Sequence, residues 1–256
     1  LRGQLLSPRC RGIFAISDVA RRIFAHQHRD LPEWPVLRRK LHLRYPNLPI
    51  PGTVPDADLP TDRLRVTFVG NHFARKGGCV AVRLAEMARQ AGLPLEVVII
   101  SKMEMGGAIW TDPPDAAFYE PYLRAVRDLP NVVHHPGLPN RDTVDILRRS
   151  HFSLLATFSD TFGYSAIESL AWGTPVIATT QGALPEFIRD GESGLLLDLP
   201  VNALGEWLPM AQGTDRASAA FQATYRDEIE RMARQTLDRL TVLFATPGAL
   251  DAMRPR

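Results

Sequence analysis

Cysteine is nearly absent, with Cys10 and Cys79 far apart and in no metal-ligand spacing. That excludes a disulfide framework and a cysteine-held zinc site, and a reducing compartment is expected. Long apolar runs are missing too. The longest, such as Leu95 to Ile100, are strand-sized, well short of the roughly 20 apolar residues of a membrane span. The opening residues carry no signal-peptide pattern, so a cytoplasmic protein is the expectation. There is no Walker A loop and no GxGxxG, which removes the best support for ATPase and dinucleotide-binding readings. No Asp-x-Asp cluster occurs, and His134, His135 and His151 lack metal-ligand spacing, so no metal site is expected. Lysine is scarce as well. Only Lys40, Lys76 and Lys102 occur, which makes the placement of each informative.

What is present is ordinary for a soluble globular protein. The chain has 256 residues, 45% hydrophobic and 23% charged, enough for one or two domains and a sizeable core. A net charge of +2 gives no case for nucleic acid. Its distribution is uneven. Residues 1–64 hold 11 Arg and Lys against 6 Asp and Glu, the remainder 19 against 22. The basic arm fits an anionic lipid surface, an acidic substrate or plain solvent. Membrane-surface contact, making the protein peripheral to a membrane, has no further support in the sequence.

The pattern along the chain is regular from Arg65 onward. Residues 11–29 read as a short strand and a helix capped by Ser17. Residues 30–64 carry Pro32, Pro35, Pro46, Pro49, Pro51, Pro55 and Pro60, and read as a linker without long helices or central strands. Strands are predicted at 65–70, 95–100, 131–135, 152–156, 174–178 and 194–197. Helices are predicted at 79–90, 116–128, 141–150, 164–172 and 184–189, with 217–244 mainly helical. Short apolar strands alternating with helices predict an α/β fold, a doubly wound parallel sheet of Rossmann-like type. Ligands then bind beyond the carboxyl ends of the strands. That rule selects the loops beginning near Gly70, Ser101, Gly137, Thr157 and Thr179.

Two of those loops carry candidate chemistry. Gly70 to Gly78 lies between a strand and a helix and places Arg75 and Lys76 at the helix N-terminus. Cations there oppose the helix dipole and make better sense with a phosphate between them, although two solvated cations are an equal reading. Ser159 to Glu168 places Asp160 in a loop and Glu168 on the first turns of a helix, with Gly163 between them. Both carboxylates could face one ligand. The alternative is local: Ser165-x-x-Glu168 has capping-box spacing, and Asp160 or Ser159 could cap the same helix. Glu186 also sits near a helix start, where its charge is favourable in any case. Ser165 has no evident His and Asp partners, which leaves a hydrolase triad weakly supported.

Four segments in order resemble glycosyltransferase family 4, enzymes of the two-domain B-type fold. Asp160-Thr-Phe-Gly-Tyr-Ser-Ala-Ile-Glu168, continuing through Trp172-Gly-Thr-Pro-Val-Ile-Ala178, resembles the family's E-x7-E segment. Gly182-Ala-Leu-Pro-Glu186 and Asp190-Gly-Glu-Ser-Gly194 resemble what normally follows. Gly70 to Gly77 resembles its G-R-x4-K-G loop, with Lys76 in register. The likeness covers roughly residues 65–200. It implies a retaining transfer from a nucleotide-sugar, without metal or other cofactor, to an unknown glycan, lipid or protein acceptor. It implies that Lys76 contacts the donor diphosphate and that the backbone around Phe162, Gly163, Tyr164 and Ser165 holds the same phosphates. Glu168 is then expected on the ribose hydroxyls, Asp160 beside the transferred sugar, and the base near Gly137 and Leu138. Charge developing on the leaving diphosphate would be stabilised electrostatically.

Two departures stand out. Asn71 occupies the position where the family usually has arginine, with Arg75 the nearest compensating cation beside Gly70. Asp160 replaces the usual glutamate and is one methylene shorter. The chain opens at Leu1, and 64 residues are too few for the Rossmann-like acceptor domain that the resemblance places upstream. The expected division is therefore a remnant of that domain plus linker (1–64), a donor-binding domain (65–200) and C-terminal helices (201–256). A catalytically degenerate module that assembles with a partner chain is the competing expectation.

Overall fold

The computed structural model describes residues 2–48 and 58–254. The first stretch holds α1 (Arg2–Leu6), β1 (Ile13–Ala15), α2 (Asp18–His28), α3 (Trp34–Lys40) and β2 (Leu41–Leu43). β1 and β2 pair in parallel, Ile13 opposite Leu41 and Ala15 opposite Leu43. Ser17 caps α2 as expected, its hydroxyl accepting from the Ala20 N–H at 3.0 Å.

The expected linker needs correction. It contains α3 and β2, because Pro35 falls in the first turn of α3, where a missing N–H costs nothing. Pro49, Pro51 and Pro55 lie outside the described residues.

The second stretch alternates strand and helix from β3 to β7. It runs β3 (Leu64–Val69), α4 (Gly78–Gln90), β4 (Leu95–Ile100), α5 (Glu120–Asp128), β5 (Val132–His135), α6 (Asn140–Arg148) and β6 (Phe152–Leu155). It continues with α7 (Tyr164–Ala171), β7 (Val176–Thr179), β8 (Gly194–Leu197), α8 (Leu208–Ala211), α9 (Ala219–Ala245) and α10 (Ala249–Ala252). The six strands from β3 to β8 form one parallel sheet in the order β5-β4-β3-β6-β7-β8. β6 and β7 are buried along their whole length, as strands covered by helices on both faces must be. The segment expected as a helix at 184–189 is a shorter 3-10 turn, Leu184–Glu186.

The core centres on β3, α4 and α9. Trp207, Phe221 and Tyr225 from the C-terminal helices and their approach are buried there against Phe158. Among the described residues no helix is long and apolar enough to cross a membrane.

Chain order reverses between β3 and β6, since β4 and β5 lie on one side and β7 and β8 on the other. This is the switch point at which a doubly wound sheet opens a crevice at its carboxyl edge. The loop after β3 carries Lys76 and the loop after β6 carries Asp160. The fold therefore brings together two segments that lie about eighty residues apart in sequence.

The N-terminal stretch is fastened to this edge by Glu186. Its carboxylate accepts from the N–H groups of Asp18 at 2.7 Å and Val19 at 2.8 Å, and from the Tyr45 hydroxyl at 2.7 Å. Glu186 thus caps α2, not the turn in which it sits. Val19 packs with Phe162 and Ala183 beside this contact. Glu186→Ala should destabilise the fold by about 2–3 kcal/mol, the scale of charge-assisted hydrogen bonds left unmade. Chemical denaturation would read that loss, and amide exchange should accelerate selectively at Asp18 and Val19. The same bond to Glu186, with burial, pushes the Tyr45 phenol up to about 12. In the variant it should return to the ordinary tyrosine range.

Candidate active site

The loop of residues 70–77 is built around a chain reversal. Gly77 has φ +93°, and a Cβ there would stand 2.3 Å from the Ala156 carbonyl oxygen. The loop is sewn to the end of β6 through the Arg75 carbonyl, which accepts from the Phe158 N–H at 2.9 Å and the Thr157 hydroxyl at 3.0 Å. The Arg75 guanidinium reaches across to the Ser159 carbonyl at 2.6 Å. Lys76 turns into the crevice, where its ammonium lies 3.2 Å from Asp160 Oδ2.

Asp160 is held from three sides. Its N–H donates to Gln181 Oε1 at 2.9 Å, and its Oδ1 accepts from the N–H groups of Phe162 at 3.2 Å and Gly163 at 2.9 Å. Burial pushes its carboxyl up, but Lys76, the two backbone N–H groups and Arg75 outweigh burial and hold it below its ordinary value. It is therefore an anion at neutral pH. Glu168, on the second turn of α7, is raised by burial, with Lys76 opposing the rise. No side-chain hydrogen bond reaches its carboxylate among the described residues.

Two expectations about α7 need correction. Its N-cap is Gly163, in the left-handed region, and not Ser165, so the capping box does not form. The Gly163 N–H, expected to hold phosphate, is engaged by Asp160. The three-residue spacing and short stem of aspartate bring Oδ1 back onto that N–H. The N–H groups of Tyr164 and Ser165 have no acceptor among the described residues. They open the first turn of α7 next to the crevice, at the positive end of its dipole.

Lys76, Arg75, Asp160 and the start of α7 thus converge, with Glu168 inside the field of Lys76. Gly70 lies against Lys76, since a Cβ there would meet Lys76 Cδ at 2.7 Å. Phe162 is buried and packs against the half-exposed ring of Tyr164 at 5.4 Å. Asn71 is exposed, and its carbonyl accepts from the Glu104 N–H at 2.9 Å. Gly137 and Leu138 follow the edge strand β5, on the same carboxyl edge but away from the β3–β6 crevice. Open space surrounds Gly137, where an added Cβ would meet nothing within 4 Å. His134 is occupied by the Ser101 carbonyl at 2.9 Å, and burial lowers His151 to about 4, so it stays neutral. Among the described residues no three His, Cys, Asp or Glu side chains cluster as a metal site would require.

Sequence reasoning missed Gln181, Thr157 and Asp112. Gln181 and Thr157 fall on loops that the carboxyl-edge rule selects, though neither carries a motif. Asp112 gives no signal at all. It is fully buried, with Tyr225 donating at 3.3 Å and Thr111 at 3.1 Å to Oδ1, while Oδ2 has no hydrogen-bond partner among the described residues. Burial pushes it up to about 6, against the lowering by Thr111, Tyr225, Arg75 and the Gly106 backbone.

The sign of the pH effect follows from that shift. The folded state binds this proton more tightly than the unfolded chain, so the Asp112 contribution to stability improves as pH falls through about 6. Asp112→Asn should remove that gain. Measured by denaturation, the variant should lose about 2 kcal/mol relative to the parent on going from pH 7.5 to 4.5.

The parallel six-stranded sheet with a crevice at its switch point is a Rossmann-like α/β fold, and its likeness to solved glycosyltransferases of the B-type fold places this chain in that fold. Residues 63–206 match the model of the glycosyl transferases group 1 family, and the chain belongs to that family. It is 34% identical over 142 residues to the D-inositol 3-phosphate glycosyltransferase of Acidothermus cellulolyticus, covering 55% of this chain and 31% of that protein. To the enzyme of the same name from Mycolicibacterium smegmatis it is 28% identical over 189 residues, covering 73% and 41%. The chain thus spans well under half the length of these curated relatives. Among solved structures, a glycosyltransferase from Rickettsia africae superposes with a TM-score of 0.53 at 14% identity, covering 96% of this chain and 67% of that one. Anabaena HepE, in complex with UDP-glucose, gives 0.54 at 15% identity, covering 91% and 64%. At those identities the likeness establishes the fold.

Proposed function

We propose that this chain is the donor-binding part of a family 4 retaining glycosyltransferase, taking a hexose from a nucleoside diphosphate sugar. The observation that carries the reading is the pairing of Lys76 with Asp160, which caps the start of α7 at Gly163, directly before the first-turn N–H groups of Tyr164 and Ser165. Those groups suit the two ends of a diphosphate. Lys76, Arg75 and the α7 dipole would stabilise the charge that grows on the leaving diphosphate, and the reading calls for no metal or other cofactor. Glu168, whose carboxylate accepts no side-chain hydrogen bond among the described residues, suits the ribose hydroxyls. Asp160 lies where the transferred sugar would stand, and the loop at Gly137 and Leu138 suits the base.

HepE is crystallised with UDP-glucose, and a pneumococcal O-GlcNAc transferase of the same fold with UDP and GlcNAc. Both support a uridine nucleotide as the first donor to try. Residues 1–64 are read as the end of an acceptor-binding domain with its linker, 65–200 as the donor domain and 201–256 as returning helices. The acceptor is a glycan, lipid or protein.

A second reading, a binding module without transfer activity, is favoured by the pairing of Asp160 with Lys76 and by Asn71. Titration with UDP, ADP, GDP and their hexose conjugates tests both. Binding of one nucleotide, lost in Glu168→Ala, supports the donor site. Donor hydrolysis by the chain would then remove the second reading. Absence of binding across the panel at millimolar concentration would sink the first.

A further inference from the structure

Lys76 already has a charged partner in the crevice. Its ammonium and the Asp160 carboxylate are 3.2 Å apart, with side chains only 18% and 9% exposed. The lysine stem reaches Asp160 by lying across Gly70, where any Cβ would collide with Lys76 Cδ. The two ends of the contact are unequal. Asp160 is anchored, because moving it would release the Phe162 and Gly163 N–H groups bound to Oδ1 and the Gln181 contact behind it. Asp160 Oδ2 is buried and accepts no hydrogen bond of good geometry. The Lys76 contact is therefore a charge pair without a well-aligned N–H, and Lys76 is the partner free to leave.

We propose that Asp160 is a built-in competitor for Lys76: an entering diphosphate must draw Lys76 away from Asp160. The proposal rests on the donor-site reading above and adds what sets its affinity. Asp160 lowers the affinity of the ground state for the diphosphate. Once Lys76 has moved, Oδ2 is exposed toward the sugar side of the crevice. The competition explains how a residue in the binding motif can oppose binding. Removing a group that only contacts the ligand weakens affinity, whereas removing a competitor strengthens it.

The test uses inorganic pyrophosphate as the anion probe, with UDP, ADP and GDP in parallel, titrated calorimetrically. The proteins are the parent chain, Asp160→Asn, Asp160→Glu and Lys76→Ala. Asparagine keeps the Oδ1 acceptor for Phe162 and Gly163 while removing the charge. Pyrophosphate should bind Asp160→Asn about tenfold more tightly than the parent, the scale of a partly buried charge pair. Asp160→Glu, which retains the charge, should show no such gain, and Lys76→Ala should abolish binding. Asp160→Ser supplies the neutral arm if the asparagine variant has no cooperative melt. Equal or weaker pyrophosphate binding by the neutral variant, or none by any protein, overturns the competition. If pyrophosphate binding tightens and no nucleotide binds, the competition stands and the nucleotide reading falls. If nucleotides bind without tightening in the neutral variant, the donor reading stands and the competition falls.

Discussion

Lys76→Ala should weaken nucleotide binding at least about 50-fold, the scale of one lost charge-assisted contact to a phosphate in a partly buried site. The same change should destabilise the protein, for a separate reason. Asp160 would keep its buried position and lose the cation that offsets burial. Breaking one side of a buried pair costs more than the pair itself contributes, here about 2–3 kcal/mol at neutral pH. The two losses differ in their pH dependence. In the parent, the depressed Asp160 carboxyl contributes stability above its ordinary range that is lost as pH falls. Without Lys76 one cause of that depression is gone, the Asp160 carboxyl rises, and the stability deficit should shrink on acidification. Denaturation at pH 7.5 and 4.5 separates these cases. A deficit that stays constant between the two pH values would mean that Lys76 and Asp160 do not form the pair seen here.

Gly77→Ala is expected to have the largest effect on the fold. The residue has φ +93°, and the new methyl would stand 2.3 Å from the Ala156 carbonyl oxygen and 2.6 Å from its carbon. Both obstacles are backbone atoms of Ala156, the residue directly after the central strand β6, so neither can turn aside. Left-handed strain and steric displacement together should cost about 3–5 kcal/mol. Because Gly77 directly follows Lys76, any relief must shift the lysine, and nucleotide affinity should fall with stability. Gly107→Ala serves as the control, since a Cβ there meets nothing within 4 Å. Comparable denaturation midpoints for the two variants would contradict the close approach of this loop to β6.

The alternation of strands and helices was legible from local pattern, and so were the two loops that carry Lys76 and Asp160. Both follow short apolar strands, and the carboxyl-edge rule selects them without tertiary information. What local pattern does not contain is strand order. That β3 and β6 are neighbours, and hence that Lys76 meets Asp160, depends on pairing across more than eighty residues. The capping box at Ser165 was misread because its spacing is satisfied by any Ser-x-x-Glu. The left-handed Gly163 starts the helix two residues earlier, and Asp160 supplies the cap. Glu186 was read as a residue near the start of its own helix, but that segment is a 3-10 turn and the helix it caps begins 168 residues before it. Asp112 left no trace because burial beneath a loop is a property of packing, not of spacing. The proline-rich segment hid α3 because proline in a first helical turn resembles proline in a loop.

The most direct test is an amide-resolved NMR titration of this chain with UDP, followed by ADP and GDP if UDP is silent. A diphosphate on the proposed site should shift the Tyr164 and Ser165 amides first, with Gly77 and Gly163 moving as Lys76 and Asp160 separate, and Glu168→Ala should weaken the response. Saturable shifts confined to another edge of the sheet, with Tyr164 and Ser165 unmoved, would contradict the site.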